Sequence, residues 1–309
     1  MDQPFFMPRP IGPVQDPTKT LRDLICSSDL SFLMEAHDGL SAAIAKQAGF
    51  KGLWASGLSI SSALGYRDAS EASWTELVDV VERVADASGL PILVDGDSGF
   101  GNFNNARLLA MKLLKHGGAG VCLEDKGFPK VNSFVGDHHR LADIGEFSGR
   151  LKAIKDTTGN DLVLVARTEA LIAGFGLEEA LKRADAYADA GADAILIHSR
   201  KSDAGEILAF AKQWQKLPLV IVPTKYYRTP VSTYRDADIS TVIWANHTMR
   251  AAIAGMREVC SRIAAEESIA GVEAEVATLD EVFSLLRYDE LALAEDRYLP
   301  KQELTGAPR

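Results

Sequence analysis

Cysteine is scarce in this chain. Among 309 residues there are three, Cys26, Cys122 and Cys260, widely spaced and odd in number. The lack of any C-x-x-C pair excludes a zinc knuckle and a disulfide framework, and suits a reducing cytoplasm. Long apolar runs are missing as well; none approaches the roughly 20 residues of a membrane span. Nor does MDQPFFMPRPIGPVQDP, at the start, carry the basic region and apolar run of a signal peptide. Positive charge is in deficit: 33 Lys and Arg stand against 43 Asp and Glu, a formal net charge of −10. Nucleic acid and anionic membranes need basic patches, so neither is expected as a partner. At 47% hydrophobic and 25% charged residues the rest is ordinary for a soluble globular protein. The length allows a large core without disulfide or structural metal.

Proline is concentrated rather than absent. Five of the twelve lie at Pro4, Pro8, Pro10, Pro13 and Pro17, which predicts an extended arm over residues 1–20 ahead of a single domain over 21–309. Asp16-Pro17 reads as an N-cap followed by proline at the first helical position, opening a helix that buries Leu21, Leu24 and Ile25.

From residue 30 onward a repeat dominates. Three times a helical pattern ends at glycine and passes at once into a short apolar run: KQAGFKGLWASG (46–57), KHGGAGVCLED (115–125) and DAGADAILIHS (189–199). Glycine relieves the left-handed conformation at a helix end, and a continuous apolar run suits a strand covered on both faces. FLMEA (32–36), PILVDGD (91–97), DLVLVART (161–168), PLVIVP (218–223) and STVIWA (240–245) bring the strand candidates to eight. Helical patterns fill most gaps, at 38–48, 72–87, 104–116, 177–190, 203–215 and 247–266, with a further one at 280–296. Eight such units predict a (β/α)8 barrel, with a doubly wound open sheet as the alternative.

In a barrel, chemistry belongs at the C-terminal strand ends. The polar residues of this chain gather there: Glu35-Ala36-His37, Ser56-Gly57, Asp95-Gly96-Asp97, Glu124-Asp125-Lys126, Arg167-Thr168-Glu169, His198-Ser199 and Asn246-His247. Asp95, Asp97, Glu124 and Asp125, with Asp68 in the loop GYRDASEAS (65–73), repel one another unless a cation sits among them. Hard oxygen ligands favour Mg²⁺, with Mn²⁺ as its substitute; capping of the following helices is the plain alternative. Arg167, leaving an apolar strand, calls for a fixed anionic partner. His198 ends a strand too, though a lone histidine is more often a packed core residue. Ser56-Gly57-Leu58-Ser59 offers hydroxyls and unobstructed N–H groups to an anionic oxygen. GFGNFNNAR (99–107) reads first as a plain turn into a helix. The connection EDKGFPKVNSFVGDHHRLADI (124–144) is longer than most loops of a compact domain and reads as a lid carrying Lys130, Asn132 and Ser133.

WASGLSIS (54–61), GYRDASEASW (65–74), the run 95–107, EDKGFPKVNS (124–133), the run 172–199, VPTKYY (222–227), IWANH (243–247) and EVFSLLRYDELALAEDRYLP (281–300) together resemble the phosphoenolpyruvate mutase branch of the isocitrate lyase superfamily, over about residues 20–300. The carbon–carbon lyases of that superfamily carry a cysteine in the lid, where this chain has Lys130-Val131-Asn132-Ser133. Phosphonopyruvate hydrolases tend to carry threonine where Asn132 stands; they are the nearer alternative, and a non-catalytic barrel scaffold the remote one. Phe134, Gly96 and Thr168 depart from the leucine, alanine and valine usual at these positions.

The resemblance implies an isomerase that moves a phosphoryl group between the enol oxygen and C3 of one small molecule, interconverting phosphoenolpyruvate and phosphonopyruvate. It implies Mg²⁺ on Asp95, with Asp68, Asp97 and Glu124 gripping its waters. Arg167 and His198 would contact the phosphoryl and enol ends. Ser56, with the N–H groups of Gly57 and Leu58, would hold the carboxylate or the travelling group. Lys130, Asn132 and Ser133 would arrive with the lid, and Trp54 would form an apolar wall. It also implies a homodimer or homotetramer with C-terminal helices exchanged between subunits.

Overall fold

The computed structural model describes residues 16–136 and 139–300. Most of the proline-rich arm therefore lies outside the described residues. Eight parallel strands, β1 (Ser31–Ala36), β2 (Gly52–Ala55), β3 (Ile92–Asp95), β4 (Gly120–Glu124), β5 (Val163–Thr168), β6 (Ala194–Ile197), β7 (Leu219–Ile221) and β8 (Thr241–Trp244), follow one another around a closed barrel. The seam closes where Leu33 of β1 pairs with Ile243 of β8 and Met34 with Trp244. Seven fall within the predicted runs, and β1 begins one residue ahead of its run, at Ser31.

The first helix, α1 (Pro17–Ile25), starts as expected: the Asp16 side chain accepts from the N–H of Thr18, and proline occupies the first turn. It buries Leu21 and Ile25 completely, and Leu24 in part. Each fully buried side chain contributes roughly 1.5–3 kcal/mol. Gly120 makes this packing possible, because a Cβ there would lie 2.7 Å from Leu21 Cδ2.

The remaining helices of the barrel unit are α2 (Gly39–Gln47), α3 (Gly57–Ala63), α4 (Trp74–Ser88), α5 (Phe103–Lys115), α6 (Ile144–Thr158), α7 (Gly176–Asp189), α8 (Gly205–Ala211) and α9 (Val231–Arg235). Three of these, α3, α6 and α9, were absent from the expected set. The segment expected to offer hydroxyls and unobstructed N–H groups, Ser56–Ser59, is the N-cap and first turn of α3. The run 99–107 is the expected turn into a helix, closed by a reciprocal cap between Asn102 and Asn105 at the start of α5.

The chain divides into two compact units between Ala251 and Ala252. Helix α10 (His247–Glu266) runs across that boundary. In the second unit, the single helix expected over 280–296 is two, α11 (Leu279–Leu285) and α12 (Tyr288–Tyr298). The break falls at Arg287, whose φ of 61° is left-handed and incompatible with a continuing helix.

Side chains of a strand alternate between its two faces. On β5, Val163 and Val165 belong to the cluster filling the barrel, whereas Leu164 and Ala166 pack outward against the helices. The same alternation assigns Trp54, Leu93, Cys122, Leu196, Val220 and Ile243 to the interior. Two residues beyond most of these interior positions come Ser56, Asp95, Glu124, Arg167, His198, Val222 and Ala245. The period of two thus carries the barrel's inward-facing rows straight into the polar mouth.

Candidate active site

A cavity of about 50 Å³ lies at that mouth, lined by Trp54, Ser56, Leu58, Asp68, Asp95, Glu124, Lys126, Lys130, Asn132, Ser133, Phe134, Arg167, His198, Val222, Thr224, Ala245 and Asn246. That space holds on the order of three to five water-sized spheres, the scale of a small polar molecule. Of the residues that the resemblance places in the site, Gly57 and Asp97 are not on the wall. The N–H of Gly57 is already engaged, donating to Asp95 Oδ2 at 3.3 Å. Asp97, at a left-handed φ of 50°, stands behind Lys130 and pairs with it.

The lid is down. Asn132 Nδ2 donates to Asp68 Oδ2 at 2.6 Å, and Asn132 Oδ1 accepts from the N–H of Phe134 at 2.9 Å. Lys130 Nζ lies 2.8 Å from Asp68 Oδ1 and also contacts Asp97. Phe134 packs edge-on to His198, ring centroids 5.3 Å apart, and so roofs the cavity with a bulky ring.

On the opposite wall Arg167 donates through Nε to Glu169 Oε1 at 2.7 Å and through Nη2 to Ser133 Oγ at 2.9 Å. His198 Nδ1 lies 2.8 Å from Arg167 Nη2 and 2.9 Å from Glu169 Oε1. This leaves His198 Nε2 buried with no partner. Glu124 Oε1, 4.0 Å from Lys126 Nζ, and Asn246 Oδ1 likewise make no hydrogen bond. A buried polar atom without a hydrogen bond is costly, so three of them on residues lining one cavity mark where a polar ligand belongs.

The charges are unbalanced. Around the cavity the carboxyls of Asp68, Asp95, Asp97, Glu124 and Glu169 meet the cations Lys126, Lys130 and Arg167, a formal surplus of two negative charges. Burial, reinforced by its carboxylate neighbours and only partly offset by Lys130, pushes Asp97 up to about 7. Glu124 is raised for the same first reason, burial. Burial works against the charge of Lys130 as well, yet Asp97, Asp95, Asp68 and Glu124 hold its ammonium well above the ordinary range. His198 is lowered by burial and by Arg167, so the imidazole is neutral at pH 7.

Among the described residues no three acidic, histidine or cysteine side chains stand already drawn together around an ion. The donor chemistry nevertheless suits one. A Cβ built on Gly57 would meet Asp95 Oδ2 at 3.1 Å and Asp97 Oδ1 at 3.2 Å, so these two carboxylates converge. Surplus negative charge, all-oxygen donors and a Glu124 Oε1 that accepts no hydrogen bond fit a hard divalent cation.

Asp125 does not join this cluster. It follows Glu124 and therefore faces the other way, out toward α7, where it accepts from Tyr187 Oη at 2.7 Å, Arg183 Nη1 at 3.1 Å and the N–H of Glu169 at 2.8 Å. Thr168 shares that outward face and donates to Asp125 Oδ2 at 3.2 Å. Sequence reasoning gave no role to Lys126 or Glu169, although both stood among the polar strand ends. Their signal, a charge emerging from a buried strand, was the same one that singled out Arg167.

Residues 21–264 match the family described as phosphoenolpyruvate phosphomutase. The chain belongs to the phosphoenolpyruvate phosphomutase family. It is 54% identical to the phosphoenolpyruvate phosphomutase of Tetrahymena pyriformis over 285 residues, covering 91% of this chain and 95% of that one. A solved phosphoenolpyruvate phosphomutase from Streptomyces platensis subsp. rosaceus is 39% identical with a TM-score of 0.89, covering 92% of this chain and 99% of that one. A phosphonopyruvate hydrolase solved in complex with oxalate and Mg++ is 37% identical with a TM-score of 0.86, at the same coverage. In sequence the phosphonopyruvate hydrolase of Variovorax sp. (strain Pal2) is 39% identical over 288 residues, against 54% for the phosphomutase of Tetrahymena pyriformis. Within the family frame, Gly96 is explained locally: a Cβ there would lie 2.7 Å from Val121 Cγ2 and 3.3 Å from the carbonyl oxygen of Cys122.

Proposed function

We propose that this chain interconverts phosphoenolpyruvate and 3-phosphonopyruvate by moving the phosphoryl group between the enol oxygen and C3 of one molecule. One observation carries the reading: a lid bearing Asn132 and no cysteine closes a small buried cavity between Arg167 and His198 on one side and a carboxylate cluster on the other. The reaction breaks the oxygen–phosphorus bond as the carbon–phosphorus bond forms, and it consumes neither water nor a proton.

Phosphoryl transfer passes through a loose state resembling metaphosphate, so positioning and charge stabilisation do most of the catalysis. The Arg167 guanidinium, held by Glu169 and Ser133, faces the charge that develops on the phosphoryl oxygens. The neutral His198 presents Nε2 to the substrate. Ser56 and Leu58, at the start of α3, take the carboxylate end, and Trp54 is the apolar wall. Asn132 and Ser133 arrive with the lid, and Lys130 neutralises Asp68 and Asp97 while it is closed. Mg²⁺, or Mn²⁺ in its place, would be held by Asp95 with Asp68, Asp97 and Glu124 around it. When bound, it supplies positive charge to the substrate's oxygens. Water competes for the migrating group, and Phe134 over His198 excludes it from above.

In the second unit Leu279, Leu286, Leu291, Leu293, Tyr298 and Leu299 are all exposed. So much apolar surface is read as an interface with further copies of the chain, a dimer or tetramer. Three unpaired cysteines suit a reducing cytoplasm, and no helix among the described residues is long and apolar enough to cross a membrane.

Phosphorus NMR of the chain with Mg²⁺ and phosphonopyruvate tests the reading. A phosphoenolpyruvate resonance is expected, and it should vanish in chelator and return with Mg²⁺ or Mn²⁺. Inorganic phosphate and pyruvate alone would make the chain a hydrolase, and full turnover in chelator would remove the metal.

A further inference from the structure

The lid has little apolar packing to hold it shut. Phe128, Val131 and Val135 are 49%, 45% and 59% exposed. Beneath it, however, lie two further charged side chains: Lys126, 2% exposed and given no role above, and Glu169, fully buried and so far only a partner of Arg167 and His198. Burying an isolated ion costs several kcal/mol, and a buried pair rarely repays this in stability over an apolar pair. Their contacts therefore decide what they are for.

Lys126 Nζ donates to the carbonyl oxygen of Val131 at 2.8 Å and to Ser133 Oγ at 2.6 Å, both on the lid, and lies 3.0 Å from Glu169 Oε2. Ser133 Oγ donates to that same Oε2 at 2.6 Å and accepts from Arg167 Nη2 at 2.9 Å. The hydroxyl thus has its one proton and both lone pairs engaged. The other oxygen of Glu169, Oε1, receives Arg167 Nε and sits 2.9 Å from His198 Nδ1. One carboxylate oxygen faces the lid and the other faces the pair that meets the substrate.

We propose that Lys126 and Glu169 form a latch that couples closure of the 127–136 lid to the orientation of Arg167 and His198. Lifting the lid withdraws Ser133 from Arg167, Lys126 and Glu169 together, so the substrate-facing cation is fully fixed only when the cavity is sealed. A site built this way opposes the leak reaction, in which a water oxygen bonds to phosphorus, the carbon–phosphorus bond breaks and C3 takes a proton. Lys126 and Glu169 are positioning residues. The catalytic half of the proposal rests on the activity proposed above; the lid half does not.

Hydrogen exchange of the ligand-free full chain tests the latch without any turnover. In Lys126→Met and in Glu169→Gln, lid amides at 127–136 should exchange about tenfold faster while the barrel strands keep their protection. Lys126→Arg, which keeps the charge, should restore part of it. If one variant fails to fold, the other decides. Phosphorus NMR with Mg²⁺ and phosphonopyruvate then reads the coupling: both variants should release about fivefold more phosphate per phosphoenolpyruvate formed. Lid exchange within twofold of the natural chain overturns the latch, and faster exchange with an unchanged phosphate ratio overturns its coupling to the chemistry. A natural chain that makes no phosphoenolpyruvate removes the proposed activity instead, and the exchange result still decides the latch.

Discussion

Asn132 Nδ2 donates to Asp68 Oδ2 at 2.6 Å across 64 positions of sequence, tying the lid to the loop between α3 and α4. The other end of the same amide accepts from the N–H of Phe134, the residue that roofs His198. One side chain therefore holds the lid's tip and its roof.

Replacing Asn132 by alanine removes both bonds and leaves Asp68 with Lys130 alone. A hydrogen bond to a charged group contributes about 1.5–3 kcal/mol, so turnover of phosphonopyruvate should fall roughly ten- to a hundredfold. Circular dichroism and the unfolding midpoint should stay those of the natural chain. Unchanged turnover would take Asn132 out of the mechanism.

Arg167 carries more. Its guanidinium touches Glu169, Ser133 and His198, and it is the fixed cation nearest the neutral imidazole. Arg167→Ala should lower kcat/KM by a factor equivalent to roughly 3–4 kcal/mol, as for one lost donor to a developing oxyanion. A kcat/KM within tenfold of the natural value would contradict the assignment.

A pH dependence of stability is built in at the end of β1. His37 Nδ1 pairs with the buried Glu35 Oε1 at 2.5 Å, Asp38 lies 3.9 Å from its Nε2, and Glu35 Oε2 accepts from the N–H groups of Thr248 and Met249. The bond to Glu35 raises His37 above its ordinary 6.5 against the opposing effect of burial. Burial opposes ionisation of Glu35, but His37, Thr248 and Met249 outweigh it and hold the carboxyl below its ordinary 4.5. The contribution of His37 is thus complete below pH 6.5 and is lost as pH rises through its elevated folded value. That of Glu35 is complete above 4.5 and is lost as pH falls through its depressed one. Urea unfolding should show the natural chain losing about 1 kcal/mol relative to His37→Gln between pH 6 and 8.5. Parallel pH profiles would refute the pairing.

Gly96 lies between Asp95 and Asp97, where a methyl would press on Val121 and the carbonyl oxygen of Cys122. Val121 is β-branched and sits in a strand, so it yields little. Gly96→Ala should destabilise the protein by about 1–3 kcal/mol, and adding Val121→Ala should recover part of that loss. Additive losses in the double variant would show that the two side chains do not collide.

All eight strands were readable because a barrel strand is a short, continuous apolar run, in three cases entered from a helix that ends at glycine and in most closed by a polar residue, a pattern repeated often enough to be recognised. Helices with strong apolar periods were equally plain. The short α3 was hidden because Ser56-Gly57-Leu58-Ser59 has poor helix formers and a glycine start. For α6 the spacing of Phe147, Leu151 and Ile154 was present but is broken up by Gly145 and Gly149. In the site, the period of two explains both the success and the failure. It sends Glu124 and Arg167 inward, and by the same rule sends Asp125 and Thr168 outward, a difference that composition alone does not reveal. The grouping of Lys126, Ser133 and Glu169 joins a strand end, a lid and the next strand's end, contacts that appear only once the barrel is closed.

The central claim is that the phosphoryl group stays with its own molecule inside a sealed cavity, and a crossover experiment tests it most directly. Phosphonopyruvate labelled with oxygen-18 in the phosphonyl group is mixed with phosphonopyruvate labelled with carbon-13 in the carbon frame, and the phosphoenolpyruvate formed is weighed by mass spectrometry. The account predicts that each product molecule keeps the labels of a single parent. Product carrying both labels, or phosphoryl oxygens exchanged with solvent, would contradict it.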